Sequence, residues 1–361
     1  MTTEKRTPAA GERIGYYDAL RVAAMIGVIL IHVCAQAATD LAAEGQALGI
    51  GWHAANLLDS LGRFAVPVYL MITGGLLLGK PSAPSVVFRK RIPRVAVPLL
   101  FWTVAYLVLQ AATVPDYDWK GAVLGIVGKP AEIHLWYLYA LIAIYLLLPF
   151  LQLLVRHAPR RILWYGIVLW LLFSCFWRAA AGLIPALELS DYANLDMLGG
   201  YLGYVLLGWL LSTQERLPSQ KLCVAAVILG VGITAAGTWL MTWRAGELNG
   251  VFYQYFMPNV VLAAAGVFCL FRRRTAGSGA WLRRLSGLSF GVYLVHEVFL
   301  RLLNPVFAPL LRAPGAGAQV GGMLLLCAAV LLLSLAASWI FSRIPGVRFL
   351  TLGEKSAPRR K

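Results

Sequence analysis

The stretch that most constrains this chain is Val22–Ala38, VAAMIGVILIHVCAQAA, which holds no charged residue and a single histidine, His32. An apolar run of this length between polar ends reads as a transmembrane helix. It is too long for a secretory signal peptide, and no clear small-residue cleavage site follows it. Similar runs recur along the chain: 60% of its 361 residues are apolar and only 13% are charged. Soluble globular chains carry about 25% charged residues, so composition excludes that class and implies a polytopic membrane protein.

The runs give an all-α bundle of about ten transmembrane helices. They fall near 16–38, 60–79, 95–113, 133–154, 162–184, 197–213, 222–243, 257–271, 288–310 and 321–341. Of the 32 Lys and Arg, 25 lie on the side of the two termini and four in the opposite loops, while Arg63, Arg178 and Arg301 lie inside spans. The positive-inside rule therefore sets both termini in the cytoplasm. It also accounts for the net charge of +16 without a nucleic-acid partner. The expected organisation is a cytoplasmic segment 1–15, a membrane domain 16–343 and a basic cytoplasmic tail 344–361. The five cysteines all lie in apolar spans, are odd in number and form no CxxC. Neither a disulfide nor a metal site is expected of them. No internal repeat is visible.

Three groups of polar residues interrupt the apolar pattern. On the first span, Arg21 and His32 are eleven residues apart, three helical turns, so they share a face and are separated by roughly 16 Å along the axis. Asp18 is one turn before Arg21 and too far down the helix to reach His32. At the inner start of the third span, Arg91-Ile92-Pro93-Arg94 puts two arginines three residues apart at a helix N-terminus. Such a pair suits a phosphate, and it equally suits an ordinary topogenic anchor. In the outer half lie His32, Arg63, His134, Arg178 and Arg301, groups that in lipid must face a protein interior or a wet cavity. Trp136 and Tyr137, read alone, fit an aromatic belt. The ninth span carries Ser289-Phe290-Gly291-Val292-Tyr293-Leu294-Val295-His296-Glu297. Tyr293 and Glu297 share a face, His296 and Glu297 point about 100° apart, and Arg301 is the natural partner of Glu297 at i, i+4.

These stretches together resemble acyltransferase family 3, integral membrane acyltransferases that modify surface glycans and similar acceptors. The matching segments are Tyr17-Asp18-Ala19-Leu20-Arg21 leading to His32, then Arg63 to Gly74, Arg91-Ile92-Pro93-Arg94, His134-Leu135-Trp136-Tyr137-Leu138 and Ser289 to His296. Each is weak alone, but five in the family's order over most of the chain are specific. Thr73-Gly74 stands where Ser-Gly is usual, and no appended SGNH hydrolase-like domain is expected. Motif order and short loops are most like members that O-acetylate a bacterial envelope glycan.

The resemblance implies transfer of an acyl group, acetyl being expected, from cytoplasmic acyl-CoA to a hydroxyl of a cell-surface or lipid-linked glycan, in a bacterial inner membrane. Acyl-CoA is then a co-substrate and no metal is required. His32, Arg63 and His134 are the catalytic candidates, with His32 as general base or transient acyl carrier. Arg21, Arg91, Arg94 and Trp136 would hold the donor. Asp18, Tyr293, His296, Glu297 and Arg301 would support the site or contact substrate. Beyond membrane lipid, acyl-CoA and the acceptor, a homodimer is left open. The alternative is a polytopic permease or glycan flippase using His296, Glu297 and Arg301. The arginine pair beside the histidine of the first span favours the enzyme.

Cysteine-accessibility labelling should place residues near 85, 158, 218 and 278 in the cytoplasm and those near 45, 122, 190 and 250 outside. One reversed loop in the first half would break the route from an inner donor to an outer acceptor.

Overall fold

The computed structural model describes residues 14–126, 128–184, 187, 200–274 and 279–354. The expected acidic loop with Glu188, Asp191 and Asp196, and the first residues of the sixth span, lie outside them. Every regular element among the described residues is helical. Nine helices are long and apolar enough to cross a membrane: α1 Gly15–Ala43, α2 Ile50–Leu77, α3 Pro84–Thr113, α4 Ile133–His157, α5 Arg160–Leu183, α7 Gln220–Ala245, α8 Val251–Arg273, α9 Ala280–Leu311 and α10 Ala316–Arg343. The shorter apolar helix α6, Leu202–Thr213, lies at the sixth expected span. Helix α11, Pro345–Leu352, follows inside the segment read as a basic tail.

Two boundaries differ from the sequence expectation for one reason. The outer loop expected over 39–59 is mostly helix, because α1 runs to Ala43 and α2 starts at Ile50. Its polar residues Asn56 and Asp59 are buried inside the bundle rather than solvated. The inner basic loop is likewise drawn into α3, which begins at Pro84 and passes through a π-turn at Val87–Arg91. Within α2 the helix breaks at Arg63 and Phe64. Pro67 explains the break, since it has no N–H to give the carbonyl four residues back, that of Arg63.

Helix α1 is central and packs against α2, α8, α9 and α10, while α7 pairs with α8 and α9 with α10. Small residues set the closest approaches, as expected where lipid provides no hydrophobic drive between helices. At the α2–α6 contact, a Cβ added to Gly74 would lie 1.8 Å from the Val205 carbonyl oxygen, and one added to Gly208 would lie 2.1 Å from that of Met71. Backbone stands on both sides, so the helices must separate to admit a methyl group.

Gly74→Ala should therefore lower the detergent-solubilised melting temperature by an amount matching about 1–3 kcal/mol, the usual cost of overpacking. Gly232→Ala, where an added Cβ meets nothing within 4 Å, should leave it unchanged. Equal melting temperatures for both variants would show that the α2–α6 approach does not limit stability.

Candidate active site

Three helices bring four ionisable side chains to one point in the outer half of the bundle. From α1, His32 has its ring centroid 4.8 Å from that of His296 on α9 and 6.2 Å from that of His134, just before the body of α4. His134 and His296 are 5.0 Å apart, all three rings meeting edge to face. His32 Nδ1 lies 3.7 Å from Glu297 Oε2. His296 and Glu297 diverge along α9, and His32 fits into the angle between them. His32 keeps 22% exposure although these side chains surround it.

Hydrogen bonds orient the cluster and leave reactive atoms open. His296 Nδ1 is 2.7 Å from the Tyr293 carbonyl, which as acceptor holds the proton on Nδ1 and leaves Nε2 as a lone-pair nitrogen. That Nε2, both ring nitrogens of His134 and Glu297 Oε2 are buried without a hydrogen-bond partner among the described residues. The Tyr293 hydroxyl donates to the His134 carbonyl. Buried polar atoms are normally satisfied, so this concentration of open ones marks a place where substrate groups or water complete the network.

Arg301 takes a partner that the sequence reading did not name. Its Nη2 lies 2.5 Å from Glu132 Oε2, whereas its Nε lies 3.9 Å from Glu297 Oε1. Gln110 Nε2 also donates to Glu132, at 3.3 Å. Glu132 thus holds Arg301 and leaves the Glu297 oxygen facing His32 uncommitted. The available signal was an acidic residue two positions before His134 in a chain with only 16 Asp and Glu.

His32, His296 and Glu297 each bring one ligand atom within 4.8 Å of the others. Zinc bonds of 2.0–2.2 Å hold ligand atoms about 3.5 Å apart, so the group would have to contract around an ion.

The structure gives Arg63 a different setting from the catalytic one expected. Its Nε and Nη2 donate to the two oxygens of buried Asp59, at 2.6 and 2.5 Å. The guanidinium lies 4.1 Å above the Tyr253 ring, and Asn56 Oδ1 accepts from the Tyr253 hydroxyl at 2.7 Å. This network ties α2 to α8. Asp59 and Arg63 share a face at i, i+4, a pairing legible in the sequence had 39–59 been read as helix. Arg178 lies over the Phe256 ring at 5.2 Å.

At the basic end, a cavity of about 520 Å³ opens among α1, α2, α3, α4 and α9, within the usual size of a ligand pocket. Arg21, Lys80 and Arg94 stand on its wall with Tyr145 and Ser289. Asp18 orients Arg21 at 3.3 Å and accepts from Ser286 at 2.7 Å. Lys80 is a wall residue that the sequence reading did not single out. Arg91, expected beside Arg94, is not among the lining residues and donates to Ser82 at 3.2 Å. It is the last residue of the π-turn. Trp136 is not on this cavity either; it stacks on Tyr201 at 5.0 Å and lies 5.6 Å from Tyr255.

Aromatic rings connect the two places. Phe290, on the cavity wall, lies 6.4 Å from Tyr293, which is 5.5 Å from His134 and 6.2 Å from His296. Tyr69, bonded through its hydroxyl to the Arg21 carbonyl, continues to Tyr137 and then Tyr293.

A multi-pass helical bundle with an arginine-lined cavity at one end and a histidine–carboxylate cluster deeper inside defines a membrane protein built for chemistry between helices. An acyltransferase-domain family model matches residues 14–343, and the chain belongs to that family, acyltransferase family 3; it is a membrane acyltransferase. No curated protein and no solved structure matches it.

Arg63→Met should leave Asp59 buried without its partner and cost about 3–5 kcal/mol, read as lost folded protein in size-exclusion chromatography. The double variant Asp59→Asn with Arg63→Gln should recover much of that loss. A folded but inactive Arg63→Met would instead return Arg63 to the catalytic set.

Proposed function

We propose that the protein transfers an acetyl group from cytoplasmic acetyl-CoA to a hydroxyl of a cell-surface or lipid-linked glycan, in a bacterial inner membrane with both termini inside. The observation that carries this reading is the arrangement along α1. Arg21 stands on the wall of a basic cavity, and His32, three turns deeper, meets Glu297. In this reading Arg21, Lys80 and Arg94 hold the phosphates of the coenzyme, which arginine forks and lysine charges suit. The pantetheine arm, long enough for the roughly 16 Å rise from Arg21 to His32, passes along Tyr69, Tyr137 and Tyr293.

The chemistry follows from the cluster. His32 takes the proton of the acceptor hydroxyl as the oxygen adds to the thioester carbonyl. Glu297 steadies the imidazolium through the facing nitrogen, the division of labour seen in histidine–carboxylate pairs. His134, with both ring nitrogens open, stands beside the oxyanion, whose charge its donated N–H would stabilise. Addition forms the C–O bond; collapse of the tetrahedral intermediate restores the carbonyl and breaks the C–S bond, and the coenzyme thiolate recovers the proton from His32. At 3.7 Å the His32–Glu297 contact is longer than a hydrogen bond, and catalytic contacts commonly tighten only with substrate bound. The glycan acceptor rests on motif order, which is most like that of the O-acetyltransferase of enterobacterial common antigen.

His32→Gln should cut acetyl transfer by about 10²–10⁴-fold while the protein still folds and binds coenzyme A. Glu297→Gln should cut it less and act on kcat rather than on the KM for acetyl-CoA. Near-parental turnover in folded His32→Gln would overturn the assignment. Mass spectrometry of envelope glycans from cells with and without the gene should show an acetyl mass lost from one glycan.

A further inference from the structure

The family match ends at residue 343, yet the chain beyond it returns to the basic cavity. Helix α11 packs on α3, and Trp102 Nε1 donates to the Thr351 carbonyl at 3.2 Å. After α11, Gly353 adopts φ +64°, and a Cβ there would sit 2.0 Å from the Arg94 carbonyl oxygen. Only glycine meets both demands, a left-handed backbone and contact with another backbone. The turn delivers Glu354 to the cavity wall. One carboxylate oxygen of Glu354 accepts from Arg94 Nη2 at 3.2 Å, and the other accepts from Arg348 Nε at 3.0 Å. Arg348 lies on α11 itself, so Glu354 keeps a partner when Arg94 lets go.

We propose that Glu354 is the resident anion of the donor site: it occupies Arg94 in the empty protein and yields it to a phosphate of the donor nucleotide. The tail then competes with the donor. A phosphate monoester brings more charge and three acceptor oxygens, against one carboxylate shared between two arginines, so the exchange favours the donor. The pair is accessible, Arg94 being 63% exposed and Glu354 31%, and exposed ion pairs are weak. The brake is correspondingly light: removing it should tighten donor binding about two- to fivefold. This inference rests on the donor-site reading above.

The experiment is calorimetric titration of the full-length protein in nanodiscs with coenzyme A, and with pantetheine as a probe lacking the phosphates. Glu354→Gln is isosteric and at the rim, and an unchanged melting temperature would show that it folds. Its Kd for coenzyme A should fall about two- to fivefold, with pantetheine binding unchanged. In an Arg94→Ala background, Glu354→Gln should change nothing, because the competing pair is already gone. If Arg94→Ala weakens coenzyme A binding but Glu354→Gln leaves it unchanged or weaker, the tail does not compete and the proposal fails. If Arg94→Ala itself leaves coenzyme A binding as in the parent, the donor-site reading fails with it.

Discussion

The structure depends on where ionisable groups inside an apolar bundle find partners. A carboxylate within the membrane region is costly unless it is paired or lines a polar space. Glu297 has both: Arg301 is at 3.9 Å and His32 at 3.7 Å. Because Glu132 takes Arg301 more closely, Glu297 is left between a guanidinium committed elsewhere and an imidazole with room around it. α1, α4 and α9 must therefore meet at this depth. The Tyr293 hydroxyl bond to the His134 carbonyl fixes α9 to the start of α4 at the same level.

A second polar assembly solves the same physical problem with the opposite outcome. Asp59, Arg63, Tyr253 and Asn56 satisfy one another through a bidentate pair, a cation–π contact and hydrogen bonds. A network so committed holds α2 against α8. The histidine cluster is the reverse, with four buried polar atoms lacking hydrogen-bond partners among the described residues. One network is closed and the other open, although both contain the residue types that mark membrane active sites.

The distance between the basic cavity and the cluster is set by helix geometry. Eleven residues of α1 separate Arg21 from His32, and the rings of Phe290, Tyr69, Tyr137 and Tyr293 occupy the space between. Aromatic rings 5.7 to 6.4 Å apart link the two places. The arginines and lysine of the cavity stand at one end of the bundle, and the histidine–carboxylate cluster lies deeper inside it.

The sequence by itself determined the class, the approximate spans and most of the residues that matter. Charge-free runs of membrane length admit few other folds, and a 3.6-residue period already puts Arg21 and His32 on one face. His32, His134, His296, Glu297 and Arg301 were all legible as polar groups that lipid could not hold alone. Only the tertiary structure decided who pairs with whom. It gave Arg301 to Glu132, set Arg63 over the Tyr253 ring, buried His134 in the core, and let Gly353 carry Glu354 onto the cavity wall. These choices depend on side chains remote in sequence, up to 260 residues apart for Arg94 and Glu354. A helical period reports which residues share a face, but it carries no information about which other helix that face will meet.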